Sequence, residues 1–204
     1  MIKRLVPILV SLAAATAVAI ATSSNAGSAP SSSAARGGML VGFYDDESVY
    51  GRTDWAFRRL KSLRAGIVRV TIEWSTVAKR RPKAPADPAD PAYNWTAVDH
   101  VVSQAAENKV RVLASIFGTP SWAGRGKNRL PRRMKDLRLF ASAAAQRYSG
   151  SYRVEKRENE PVRTLPAVRH WLAWNEPNNP VFLKPQWTRF RMKWRPQSAF
   201  DYAK

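Results

Sequence analysis

A chain of 204 residues that is 45% hydrophobic and 24% charged carries enough apolar side chains for one sizeable core, which excludes a largely disordered polypeptide. With no cysteine and two histidines, a disulfide framework is excluded and a zinc site has no support. The net charge of +19 favours acidic partners, whether nucleic acid, anionic glycan or a charged cell envelope.

The chain opens with Lys3 and Arg4, an apolar run to Ala21 and the small-x-small triplet Ser24-Asn25-Ala26. That pattern predicts a Sec-type secretory signal peptide over 1–26 and a secreted, extracellular product with no membrane attachment after cleavage. A retained anchor is the alternative, although an Ala-rich run of about 17 residues falls short of the usual ~20. Residues 27–38 are a Ser, Ala and Gly linker, flexible by composition. From residue 39 a single domain follows. "MLVGFYDD" (39–46) predicts a strand ending in acids. "DWAFRRLKSLRAG" (54–66) predicts a helix with Ala56, Leu60 and Leu63 on one stripe, Asp54 as N-cap and Gly66 as its stop. "IVRVTIEW" (67–74) is the next strand, and "PKAPADPADPAY" (82–93) is a loop without regular structure. "TAVDHVVSQAAENK" (96–109) places Val98, Val101, Val102 and Ala105 on one helical face, with Thr96 and Asp99 at capping-box spacing. "VRVLASIFGTP" (110–120) is a third strand. "DLRLFASAAAQRYSG" (136–150) is a third long helix with Leu137, Phe140, Ala141 and Ala144 on its stripe, and "AVRHWLAW" (167–174) is a fourth strand.

Alternating strands and helices, with strands apolar at nearly every residue, predict an α/β fold whose parallel sheet is covered by helices. The first turn, "GFYDDESVYGRTD" (42–54), has no glycine-rich phosphate cradle, which argues against a doubly wound nucleotide-binding sheet. The better expectation is a (β/α)8 TIM barrel, incomplete, with about its first four βα units. Functional groups then collect where strands end: Asp45, Asp46 and Glu47 after the first strand, Glu73 and Trp74 after the second, Thr119 and Trp122 after the third, Asn175 and Glu176 after the fourth.

Glu176 follows a buried-looking strand framed by Trp171 and Trp174. A carboxyl group walled by indoles is poorly hydrated, which favours its neutral form and suits a general acid. Hydrolysis of a glycosidic bond needs such an acid together with a second carboxylate. Asn175 can donate to a sugar hydroxyl. Trp74, Trp122 and Trp174 are candidate platforms for pyranose faces, with ordinary packing as the competing reading. Arg69 interrupts an apolar strand; inside a barrel its guanidinium needs a carboxylate partner, and the alternative is an outward surface arginine.

With "VRVTIEW", "YNWTAVDHVVSQAAENKVRVLASIFGTPSWA" and "HWLAWNEPN" in this order, residues 39–187 resemble the N-terminal half of a clan A glycoside hydrolase, the retaining TIM-barrel families that include cellulases, mannanases and xylosidases. The resemblance implies that Glu176 is the acid/base, that Asn175 touches the sugar beside the scissile bond, and that Arg69 supports the nucleophile's carboxylate. It implies an oligo- or polysaccharide substrate, no cofactor, no metal and no nucleic acid. The family's nucleophile is a Glu near the end of the seventh strand, and beyond Glu176 the remaining acid is Asp201. The chain therefore reads as a truncated fragment of a secreted glycoside hydrolase, with closure by a second copy as an alternative. Glu73 shares a strand face with Arg69 and Thr71 and is the best-placed substitute nucleophile; a substrate hydrogen bond or a rim ion pair suits it better. His100 reads as a surface or packing residue and His170 as a core histidine, and Asp45, Asp46 and Glu47 lack the pattern of a calcium loop.

A rival reading is a non-catalytic basic exported protein that binds anionic polysaccharide or another polyanion. It rests on "RGKNRLPRRMKDLR" (125–138) and on "KPQWTRFRMKWR" (184–195), where Trp187, Phe190 and Trp194 interleave with cations. Sugar, linkage and oligomeric state are not legible in the chain.

Overall fold

The structure is a computed structural model that describes residues 39–154 and 162–197. The expected signal peptide and linker lie outside the described residues. In chain order the elements are β1 (Gly42–Tyr44), α1 (Asp46–Gly51), α2 (Thr53–Ser62), β2 (Ile67–Glu73), α3 (Trp74–Val77), α4 (Thr96–Glu107), β3 (Arg111–Phe117) and α5 (Met134–Arg147). These are followed by β4 (Arg153–Val154), β5 (Arg163–Thr164), β6 (His170–Ala173), β7 (Trp187–Phe190) and β8 (Lys193–Pro196).

Four strands form one parallel sheet in the order β1-β2-β3-β6. Strand alternation divides its side chains cleanly. Val68, Val70 and Ile72 of β2 and Val112, Ala114 and Ile116 of β3 are buried, in one core with Phe57 and Leu60 of α2, Val98, Val101 and Val102 of α4, and Phe140 and Ala144 of α5. The opposite face carries Arg69, Thr71 and Glu73 on β2 and Leu113 and Phe117 on β3, all only half-buried. Among the described residues this second face has no helix layer over it. Phe43, Tyr44, Trp171 and Leu172 on the two edge strands are exposed. The fold is thus a mixed α/β arrangement around a four-stranded parallel sheet, and the expected barrel does not close within the described residues.

The three long helices fall where apolar periodicity places them, but two expected caps do not form. Asp54 lies in the first turn of α2 and Arg52 occupies the N-cap; the Asp54 carboxylate there suits the positive end of the helix dipole. Thr96 is the first residue of α4 rather than its cap, and the Asn94 side chain accepts from the Thr96 N–H at 3.1 Å. Asp99 is drawn away from the helix end by a stronger partner. It is buried and accepts from Arg147 Nε at 2.8 Å, from Arg147 Nη2 at 2.5 Å and from the Tyr148 hydroxyl at 2.9 Å. A charge-assisted fork from a buried guanidinium outweighs one local capping bond, and it ties α4 to the end of α5.

Burial first, and then the Asp99 charge, push the Tyr148 phenol well above its ordinary value of 10.0. A raised folded-state value means that its contribution to stability is complete below pH 10 and declines as the unfolded chain begins to lose its proton. The urea midpoint should fall as pH rises past 10. Tyr148→Phe should reduce that slope without abolishing it, because Tyr50 and Tyr93 are raised by burial as well.

The Pro-rich segment between α3 and α4 has no helix or strand, as expected, but it is bonded throughout. Asp90 accepts from the N–H groups of Ala84 at 2.7 Å and Ala92 at 2.8 Å, Tyr93 donates to the Pro85 carbonyl, and Trp95 donates to the Pro88 carbonyl. Trp95 then stacks on Phe140 at 5.6 Å and Phe140 on Trp74 at 5.5 Å, so the loop is anchored to α5 through three aromatic rings.

Candidate active site

Of the expected site residues, the structure brings Arg69 and Asn175 into contact, with Glu176 next in sequence to Asn175. Arg69 faces the open side, not solvent beyond the helices. Register pairs it with Tyr44 on β1 and with Leu113 on β3, and Leu113 in turn pairs with His170 on β6. Its guanidinium lies 4.5 Å from the centre of the Tyr44 ring. One Nη donates to Asn175 Oδ1 at 2.6 Å and approaches Ser115 Oγ at 3.3 Å. Two residues 106 positions apart in sequence, each suspected on its own, are therefore in direct contact. The expected carboxylate partner is absent: among the described residues Arg69 forms no ion pair, and its buried Nε has no hydrogen-bond partner.

Ser115 is the residue that the sequence reading missed. It is fully buried in the row of Thr71 and Leu172, on the same face as Arg69, and it donates to the Trp174 carbonyl at 3.2 Å. That bond holds the end of β6 against β3 and sets the position of Asn175. A lone hydroxyl within "VLASIF" was the available signal.

At the end of β6 the backbone turns sharply. Trp174 has φ of 61° and Glu176 has φ of 39°. Two non-glycine residues with positive φ on either side of Asn175 store strain of about 1–3 kcal/mol each, a cost that tends to cluster where a side chain must be aimed. The turn is closed by the Asn179 N–H donating to the Glu176 carbonyl at 2.9 Å and by Asn179 Nδ2 donating to Glu176 Oε2 at 3.1 Å.

Three expectations need correction here. Glu176 is exposed, not walled dry by indoles. The positive φ at Trp174 turns its ring into the core, where it is 1% exposed, packs on Phe117 at 5.1 Å and donates to the Phe182 carbonyl. Trp174 therefore has no open face for a sugar. Trp74 is also fully buried, one face covered by Phe140 and its ring met edge-on by Trp122. It continues the buried series Val68, Val70 and Ile72, so alternation along β2 directs it to the core face, opposite Arg69 and Glu73. Trp122 keeps partial exposure, but its indole N–H donates to the Ala78 carbonyl and the Arg81 guanidinium lies 4.6 Å over its ring.

The other acids of the rim have structural partners. Asp45 caps α1 through the Ser48 N–H, and Asp46 accepts from the Thr71 N–H at 3.0 Å, extending the ladder beyond the end of β1. Glu73 pairs with Lys127 and accepts from Ser75 and Thr76. Burial would raise its carboxyl, but the Lys127 ammonium and the two hydroxyls outweigh that and hold it below its ordinary value. Glu73 is thus the rim ion pair of the earlier alternatives. Gly118, with φ of 85°, lies against it: a Cβ there would meet Glu73 Cγ at 3.1 Å.

Among the described residues, no group of His, Cys, Asp or Glu is placed to hold a metal ion, and no helix is long and apolar enough to cross a membrane. No family profile and no curated protein matches the chain. Among solved structures it is similar to the β-glucosidase from Trichoderma harzianum, at 21% identity and a TM-score of 0.39. The likeness covers 63% of this chain and 24% of that one, so the chain spans about a quarter of that enzyme's length.

Proposed function

We propose that this chain is the N-terminal half of a secreted, retaining glycoside hydrolase of the TIM-barrel type, with Glu176 as acid/base and Asn175 beside it on the sugar. The observation that carries the reading is the state of Arg69. A guanidinium on the uncovered face of a parallel sheet, bonded to the Asn next to the candidate acid and left without an acidic partner, is the arrangement expected where a second carboxylate arrives from elsewhere in the barrel. The exposed edge aromatics Phe43, Tyr44 and Trp171 support the same view, because further strands would cover them. Those strands would also supply the walls that Glu176 lacks here. In the reaction, Glu176 protonates the leaving oxygen and later deprotonates the incoming water. Asn175, held by Arg69 and by the strained turn, binds the sugar at the reacting centre.

The test is Glu176→Gln in the full-length gene product. Loss of proton transfer should lower kcat on unactivated glycosides by about 10²–10⁴-fold, with folding unchanged by circular dichroism because the side chain is exposed. Undiminished hydrolysis by the variant would remove Glu176 from the chemistry.

A further inference from the structure

Between the loop after β3 and the start of β7 lies a cavity of about 400 Å³ walled by Arg125, Arg129, Arg132, Lys184 and Thr188, with no acidic residue in its lining. None of these four cations forms an ion pair among the described residues. The walls are fixed to one another through the backbone: the Lys184 N–H donates to the Asn128 carbonyl at 2.7 Å, and Arg129 bridges Lys184 in parallel. The charge continues onto the β7–β8 hairpin. Thr188 pairs with Arg195 and Phe190 with Lys193, so alternation puts Thr188, Phe190, Lys193 and Arg195 on one face, the face that meets the cavity. This cationic surface adjoins the candidate active site, since Gln186 at the base of the hairpin donates to the carbonyls of Leu183 and Pro177, the residue after Glu176.

We propose that the cleft and this hairpin face bind the carboxylate or sulfate groups of an acidic polysaccharide, and that the glycan cut at Glu176 is therefore anionic. The substrate half of this inference rests on the glycoside hydrolase reading; the binding half does not. Three guanidiniums can present paired N–H donors to planar or tetrahedral oxyanions, a recognition that a neutral glucan would leave unused. A nucleic acid fits less well. Single-strand binding stacks bases on open aromatic faces; the one ring on this face, Phe190, already has the guanidiniums of Arg195 at 4.7 Å and Arg191 at 5.3 Å against it, and alternation puts Trp187 and Trp194 on the hairpin's other face.

The experiment is a titration of the purified chain with oligogalacturonate, with neutral cello-oligosaccharide and with single-stranded DNA of matched charge, at low and at physiological ionic strength. Oligogalacturonate should bind, with an affinity that falls as salt rises, and the neutral sugar should not bind at this surface. Arg125→Gln with Arg129→Gln should weaken that binding about tenfold, as two exposed charge contacts are lost. The control pair Arg58→Gln with Lys61→Gln, exposed on α2, should leave it unchanged. Equal binding by the Arg125/Arg129 variant, or tighter binding of DNA than of oligogalacturonate, would overturn the proposal. Binding that persists while the full-length enzyme cleaves no glycoside would sink the hydrolase reading and the substrate assignment and leave the anion cleft standing. Cleavage of neutral glycans without acidic binding would sink the cleft and leave the hydrolase reading standing.

Discussion

Asp99→Ala should lower the free energy of unfolding by about 3–5 kcal/mol, measured by urea denaturation at neutral pH. The size of the effect follows from what remains behind. The side chains of Arg147 and Asp99 are 8% and 5% exposed, so removal of the carboxylate strands a guanidinium in the interior without the fork that compensates its lost hydration. The Tyr148 hydroxyl loses its acceptor in the same step, and Arg163 on β5 loses the anion 3.9 Å away. Replacing the pair together gives a different result. Asp99→Ala with Arg147→Met removes both buried charges, and most of the loss should return, because the attraction between buried ions roughly offsets the cost of drying them. The stacking of Arg147 on Trp95 and Tyr152 is the part that Met does not restore. A double variant as unstable as the single one would mean that this stacking, not charge compensation, holds α4 to α5.

How far the sequence could be read depended on which signal each element used. Helices α2, α4 and α5 carry apolar stripes, and burial follows them at Ala56 and Leu60, then Val98, Val101, Val102 and Ala105, then Leu137, Phe140 and Ala144, but not at Leu63, which caps the end of α2 and is exposed because the helix stops at Ser62, short of Gly66. Strands β2 and β3 were legible as strands from their near-continuous apolar runs, and helices cover one face of the sheet they form. Arg69 and Asn175 were legible because each is out of place for its element, and their contact bears on the shared role suggested for them. The direction of an indole was legible only at Trp74, where the alternation of Val68, Val70 and Ile72 leads to the core; at Trp174 the chain leaves β6 with a positive φ that no residue type announces, and the ring is buried against Phe117. The β7–β8 hairpin was illegible for a related reason. Its turn uses Arg191 and Met192 at φ of 46° and 66°, a conformation that Asn-Gly usually announces, and here two long side chains occupy it.

Arg69→Met should separate stability from function. In this chain the unfolding free energy should stay within about 1 kcal/mol of the unsubstituted value or rise, since the exchange removes a half-buried cation that has no acidic partner and an Nε with no acceptor. The loss of the bonds to Asn175 Oδ1 and Ser115 works the other way, and both of those groups keep routes to water or to other partners on an uncovered face. On the proposed glycoside hydrolase reading, the same change in the longer protein should lower kcat/KM by about 10²-fold or more, the scale associated with losing one preorganised donor at a reacting centre. On that reading the acidic limb of the pH–rate profile should also move upward, because the proposed nucleophilic carboxylate would ionise less readily without a neighbouring cation. A residue kept for folding would reverse both results, costing stability in this chain and leaving the pH profile in place. Arg69→Lys makes the distinction finer: it restores the charge but not the two-pronged geometry, so the pH limb should recover while Asn175 stays misplaced and kcat stays low.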